Sequence, residues 1–309
     1  MEKKIQNHKF SRSKMSKSYI FAFISIFVWA STATVTKLLL EDLNSIQILC
    51  VSMFFASLTL LIANVFLKKL SIIKQYKIKD YITFFLTGVI GVFCYYLFLY
   101  LALFYLPAQE GFIINYLWPV MIIIFARILL KEKLTPKKLL AIILSFIGVA
   151  IVVTKGNFAE FDLSNPLGVI LAVLAAVSYG LFSVIVKKYT YDKTISMMFY
   201  CISALVVSSL VMIVTSGVPT LNAIQILGLG WMGIFTTAIG FTAWAFALKY
   251  GHTHKIANLA FVTPFLSLVY IYLFLGEQIN IYSVIGLIVI VLGILIQNIE
   301  ERKRISDTS

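Results

Sequence analysis

Apolar residues run along this chain in ten stretches, separated by short polar and mostly basic connections. The stretches cover about 18–40, 46–67, 81–105, 108–130, 136–154, 167–187, 196–215, 223–248, 256–275 and 281–298. Each is close to the roughly 20 residues a helix needs to cross about 30 Å of hydrocarbon. Strands of a membrane barrel would be about half as long and would alternate apolar with polar residues, and these segments do neither. The pattern predicts an all-α integral membrane protein with ten transmembrane helices. A cleaved signal sequence has an apolar region of only about 7–15 residues. The stretch from Tyr19 to Leu40 is longer and reads as an uncleaved first span.

The second half of the pattern restates the first. At a shift of 145 residues Gly88 meets Gly233, Tyr105 meets Tyr250, Pro119 meets Pro264, Glu132 meets Glu277 and Gly148 meets Gly293, with no gap. The first span of each half matches at a shift of 150, which pairs Trp29 with Tyr179 and Lys37 with Lys187. The five extra residues fit the Lys68–Lys79 connection. Five spans per half is an odd number, so the two repeats must be inverted with respect to each other in the membrane. Inverted repeats are the architecture of alternating-access transporters, whose site lies near the midplane between the repeats.

Charge supplies the orientation. The chain holds 26 Lys+Arg against 13 Asp+Glu. Of the basic residues 24 fall in the N-terminal tail, the even-numbered connections and the C-terminal tail, all on one side; Lys37 and Lys155 fall on the other. Short basic loops stay cytoplasmic, so both termini are expected there, with the cell (plasma or inner) membrane as the location. Nucleic acid is not an expected partner, because the charge is dispersed between spans. Membrane lipid is. Composition agrees: 61% of residues are hydrophobic and 13% charged, and the mean hydropathy is +0.96. Soluble domains run nearer 45–50% and 25%. Cys50, Cys94 and Cys201 stand far apart in apolar runs, which excludes a disulfide framework or a zinc site by spacing. The expected organisation is a basic cytoplasmic tail (1–17), a first repeat (18–154), a second repeat (167–298) and a cytoplasmic tail (299–309).

Particular residues carry a family likeness. The fourth span opens Ala108-Gln109-Glu110 and continues Asn115-Tyr116-Leu117-Trp118-Pro119; the second half adds Gly240-Phe241, Ala243-Trp244 and Phe261-Val262-Thr263-Pro264-Phe265-Leu266-Ser267. Together with the ten spans these stretches resemble the EamA-type drug/metabolite transporter superfamily, and within it the aromatic amino-acid exporters. The chain departs from those exporters at Leu106-Pro107, where they are histidine-rich. The resemblance implies two inverted five-helix EamA repeats around a central cavity lined chiefly by helices 3, 4, 8 and 9. It also implies export of amino acids or similar metabolites.

Candidate chemistry follows from residue types inside the spans. Pro119 and Pro264 each remove a helix hydrogen bond and free the carbonyl four residues earlier, on Asn115 and Ala260. Such carbonyls are tolerated at membrane depth where they line a watery cavity or are paired again. The two prolines are candidate hinges, with a plain packing kink as the alternative. Asn115 and Trp118 are three residues apart and share a helix face; with Tyr116, Tyr96, Tyr100 and Trp244 they are candidate substrate contacts. Core or lipid-facing packing is the alternative for each. Tyr96 and Tyr100 form one strip, whereas Trp29 and Trp231 read as packing or interfacial anchors. None of the thirteen acids lies in the middle of a span. Glu110, near the outer end of the fourth, is the candidate for proton coupling or for a substrate ammonium, against a solvated acid at a helix N-terminus. An uncharged cavity suits a neutral or zwitterionic small molecule. His252 and His254 form a weak HxH signal in a loop and read as surface residues. No cofactor is expected.

The expected function is secondary export of aromatic or neutral amino acids or similar metabolites by alternating access. Broad efflux of drug-like compounds is the alternative within that class. An enzyme is disfavoured, since the chain has no HExxH, no GxSxG, no Cys–His pair within a span and no Walker A loop. A channel is disfavoured by the lack of acidic rings or filter-like carbonyl motifs. Small residues such as Ala172 and Ala176 suit helix packing within one protomer or between two.

Overall fold

A computed structural model describes residues 17–157, 165–250, 256 and 259–307, without the side chains of 248 and 297–307. Lys3 to Lys14 of the basic tail and His252, His254 and Lys255 lie outside the described residues. Within them ten apolar helices follow one another: α1 (Lys17–Leu39), α2 (Ser45–Phe66), α3 (Ile78–Tyr105), α4 (Ala108–Leu129), α5 (Pro136–Thr154), α6 (Pro166–Lys188), α7 (Lys193–Thr215), α8 (Ala223–Ala247), α9 (Val262–Leu275) and α10 (Ile281–Asp307). The first eight are long and apolar enough to cross a membrane.

One expected boundary is corrected. The ninth span was expected over 256–275, but the described chain turns at Ala260–Phe261 and the continuous helix begins only at Val262. The reason is local: Pro264 cannot donate to Ala260, so the backbone is released just before it. The tenth helix continues beyond the apolar stretch expected over 281–298, to Asp307. The extra residues of the α2–α3 connection contain a 3₁₀ helix over Leu70–Gln75.

Helix starts follow ordinary capping chemistry. Asn44 accepts from the Gln47 amide, and Gln47 returns a bond to the Asn44 amide at 3.2 Å. Thr135 caps α5 and Pro136 fills its first position, where no amide is needed. The Asp192 carboxylate accepts from the amides of Thr194 (3.0 Å) and Ile195 (3.1 Å) at the start of α7.

The packing obeys the repeat. Helix α2 packs on α7 and α5 on α10, so each pairs with its own equivalent, while α3 lies on α7 as α8 lies on α2. The matched glycines show why close approach is needed there. A Cβ on Gly88 would sit 2.7 Å from the Tyr200 carbonyl oxygen of α7, and one on Gly233 would sit 2.2 Å from the Ser52 carbonyl oxygen of α2. Both are far inside van der Waals contact. Among the described residues three buried apolar clusters result: one around α2, α3 and α7, one around α4, α5, α6 and α10, and a small one of Ala22, Ala247 and Ile256. The first half of α4, Ala108 to Asn115, is buried at every residue.

Candidate functional site

Four backbone irregularities meet at the centre of the bundle. Helix α4 is interrupted at Tyr116–Leu117 and restarts at Trp118, with Pro119 in the second position of the new segment. The turn at Ala260–Phe261 lies within one residue of its repeat equivalent. Tyr116 stands eight residues from the start of α4, or about 12 Å along the axis, close to the middle of a membrane-sized helix. Helices α3 and α8 each contain a π-helical stretch, Val89–Cys94 and Trp231–Ile239, which again coincide at the shift of 145. A π turn inserts one residue per turn and re-aims the side chains that follow. In α3 those are Tyr95 and Tyr96; in α8 they are Gly240 and Phe241.

Between these irregularities lies a cavity of about 260 Å³. A water's share of liquid volume is about 30 Å³, so the space corresponds to a small metabolite rather than to an ion. Among the described residues, nine of the fifteen that line it are aromatic and none is Asp, Glu, Lys, Arg or His. Rings follow one another along the wall. Tyr116 to Trp118 is 6.0 Å between centroids, Trp118 to Tyr179 5.3 Å, Tyr179 to Phe241 6.4 Å, Phe241 to Trp29 5.4 Å and Trp29 to Trp244 5.4 Å. Edge-to-face and tilted contacts at such distances are the favoured aromatic geometries and hold the wall stiff.

The wall is built from equivalent positions of both repeats. Trp29 corresponds to Tyr179, Tyr96 to Phe241, Asn115 to Ala260 and Trp118 to Thr263, and all eight line the cavity. Its polar groups are individually placed. The Tyr116 hydroxyl donates to the Ala260 carbonyl at 2.9 Å, so this carbonyl, which also accepts from the Thr263 amide at 3.0 Å, is tied to the broken helix of the opposite repeat. Trp29 Nε1 donates to the Thr236 carbonyl at 3.0 Å, and Asn115 Nδ2 to the Tyr95 hydroxyl at 3.4 Å. Asn115 Oδ1 is buried and has no hydrogen-bond partner among the described residues.

The structure brings together Asn115, Trp118, Tyr116, Tyr96 and Trp244 of the candidate contacts. Tyr100 is not in the wall: it is fully buried one turn beyond Tyr96, with ring centroids 5.5 Å apart. Trp29, read as an anchor, lines the cavity instead. Sequence reasoning also passed over Tyr95, Tyr179, Phe241, Ser183, Thr32 and Thr263; the repeat register carries Tyr96 to Phe241 and Trp118 to Thr263, and applied to the candidate contacts it would have found these two. Glu110 does not line the cavity. It is buried at the start of α4, with its carboxylate 3.6 Å from Lys155 Nζ.

That end of the bundle is held across the repeats. The Glu277 carboxylate accepts from the amides of Ala108 (2.8 Å) and Gln109 (3.4 Å), the first two residues of α4. The Gln109 side chain donates to the Gln278 carbonyl at 2.9 Å and accepts from the Asn280 amide at 2.9 Å. A carboxylate at a helix N-terminus is favoured by the unpaired amides and the dipole. At the opposite end Glu132, the equivalent of Glu277, makes ion pairs with Lys187 (2.9 Å) and Lys138 (3.2 Å) instead. The Lys187 bond, aided by that of Lys138, holds the Glu132 carboxyl below the usual carboxylate range.

Comparison with known proteins places the chain. A transporter of unassigned function from Clostridium kluyveri is 29% identical over 308 residues, 95% of this chain and 96% of its own. The aromatic amino acid exporter YddG of Ancylobacter novellus is 25% identical over 182 residues, covering 58% of this chain and 63% of its own. A protein of known crystal structure superposes with a TM-score of 0.65 over 94% of this chain and 99% of that one, at 19% identity, a likeness of fold alone. The EamA-like transporter family matches residues 16–154 and 166–299, one match per repeat. With ten apolar helices in two repeats and nearly its whole length matched, this multi-pass membrane chain belongs to the EamA-like transporter family.

Proposed function

We propose that the chain is an exporter of the cell membrane, with both termini cytoplasmic, that moves aromatic or neutral amino acids or similar small metabolites through the central cavity by alternating access. The observation that carries this reading is the cavity itself: ring-walled, free of charged residues among the described ones and set at matched helix breaks between the repeats. Asn115, Trp118, Tyr116, Tyr96 and Trp244 are its substrate contacts, with Tyr100 supporting Tyr96 from behind. Membrane lipid surrounds the helices, and no nucleic acid is involved. The exporter named among the relatives supports aromatic cargo; the breadth of the aromatic wall equally suits broader efflux of drug-like molecules.

Alternating access uses the two interrupted helices. Pro119 and Pro264 are the hinges, and the Glu277–Gln109 clasp closes the outer end, so release outward requires that clasp to open. Closed and open forms are then distinguished by a discrete set of hydrogen bonds, as a two-state element requires. Glu110, paired with Lys155 beside this clasp, is the site of any proton coupling.

The test is radiolabelled phenylalanine counterflow in proteoliposomes, with and without an imposed pH gradient. Saturable counterflow that is lost in Asn115→Ala and Trp118→Ala is expected. Folded protein that moves no phenylalanine would remove the aromatic amino-acid assignment.

A further inference from the structure

Glu132 and Glu277 occupy equivalent positions of the two repeats, yet they are bonded differently. At the inner end the Glu132 carboxylate pairs with Lys187 at 2.9 Å and with Lys138 at 3.2 Å. At the outer end the Glu277 carboxylate accepts instead from the amides of Ala108 and Gln109. The backbone is not the cause. Lys131 and Gly276, the matched residues just before the two acids, share the left-handed conformation, with φ of 56° and 66°. What differs is the partner. The repeat register carries Lys138 to Ser283 but Lys187 to Lys37, so one of the two lysines that hold Glu132 has a basic counterpart at the other end.

That counterpart is in place and unengaged. Lys37 is half-buried in the last turn of α1, and the Thr32–Leu39 part of that helix packs on Ile271–Leu275, the end of α9 that leads to Glu277. Helix α6, which carries Lys187, packs in the same way on Trp118–Leu129, the part of α4 that leads to Glu132. Glu277 lies within electrostatic reach of Lys37. Among the described residues, however, the Lys37 ammonium has no ion pair or hydrogen bond. The other lysine of the outer end, Lys155, is taken by Glu110 at 3.6 Å.

Opening the outer end must lift the Glu277 carboxylate off the α4 amides. A half-buried carboxylate released from two donors needs another, because an unpaired buried charge is costly. Two inverted repeats that differ in conformation face one way, and exchanging the two conformations turns the same molecule to face the other. The bond that Glu132 makes to Lys187 here is therefore the bond that Glu277 makes to Lys37 there.

We propose that the Glu277 carboxylate changes partner as the outer end opens, leaving the α4 amides for the Lys37 ammonium, and that Lys37 thereby holds the outward-open state. The proposal rests on the alternating-access reading above and adds to it a residue that does not line the cavity.

The test is Lys37→Met in a chain with Cys50, Cys94 and Cys201 replaced by serine and Ser183→Cys in the cavity wall, in sealed vesicles with an impermeant thiol reagent on one face. Labelling from the outer face is expected to slow about fivefold, the scale of a partly exposed ion pair, while labelling from the inner face does not slow. Lys37→Arg is expected to keep the original rates. The effect of Lys37→Met is expected to vanish in Glu277→Ala, where the lysine has no partner to lose. Two amide bonds outweigh one such pair, so Glu277→Ala by itself still opens that end faster. Unchanged outer labelling in Lys37→Met, as for a lysine that only reaches the headgroups, would overturn the exchange and leave alternating access standing. Equal slowing with and without Glu277 would do the same. Lys37→Gln takes the place of the methionine variant if that one fails to fold. A cavity cysteine never reached from the outer face in any variant would overturn both readings.

Discussion

Tyr116 shows how one hydroxyl serves the whole arrangement. Its hydroxyl donates to the Ala260 carbonyl, which also accepts from the Thr263 amide, and it reaches from one repeat to the other to do so. Tyr116→Phe removes this bond while keeping the ring. Loss of a buried hydrogen bond costs on the order of 1 kcal/mol, more where the remaining group stays unpaired. A lower thermal midpoint with phenylalanine binding retained is the expected result, read by thermal unfolding in detergent and by fluorescence titration. Asp192 offers a pH-dependent counterpart. Burial works against its charge, but bonds from Lys69 (2.8 Å) and from the α7 amides outweigh it and hold the carboxyl below its usual range. A depressed carboxyl stabilises the fold above its unfolded value of about 3.9 and loses that contribution as the pH falls through the folded value. Asp192→Asn should therefore be less stable at pH 7 and lose less on acidification, as seen in thermal midpoints taken from pH 7 down to 3.

At the scale of elements, the matched glycines and the clasp make the sharpest claims. Gly233→Ala places a methyl 2.2 Å from the Ser52 carbonyl oxygen, and overpacking of this kind costs about 1–3 kcal/mol. The thermal midpoint should fall accordingly. Glu277→Ala uncaps α4 at the clasp. Hydrogen bonds to a charged group contribute about 1.5–3 kcal/mol, so opening of that end should become at least tenfold easier, measured as faster labelling of a cysteine placed at Ser183. Much of this level was legible in the sequence. Ten spans, the constant register and the two interrupted helices follow from apolar length and from Pro119 and Pro264 alone. The short α9 was not foreseen, because hydropathy continues through Ala260–Phe261 although the helix does not. The π stretches were equally hidden: Val-Ile-Gly-Val-Phe-Cys reads as ordinary helix, and its extra residue per turn is a product of packing. That irregularity explains why neighbours Tyr95 and Tyr96 both face the cavity while Tyr100 does not.

Across the whole molecule, inverted repetition accounts for the position of the cavity, and broken repetition for its chemistry. Equivalent residues surround the centre, yet Asn115 faces Ala260, and Glu277 caps a helix where Glu132 pairs with lysines. Sequence periodicity could not distinguish a wall residue from a core residue, since both are apolar or aromatic inside a span; Trp29 and Tyr100 exchanged roles for that reason. The account's central claim is that the ring-walled space is reached in turn from each side of the membrane. The direct test is Ser183→Cys in a chain whose Cys50, Cys94 and Cys201 are replaced by serine, reconstituted in sealed vesicles and treated with a membrane-impermeant thiol reagent on one face or the other. Modification from both faces, slowed by phenylalanine, is the predicted result; modification from one face only, or at a rate that phenylalanine leaves unchanged, would contradict it.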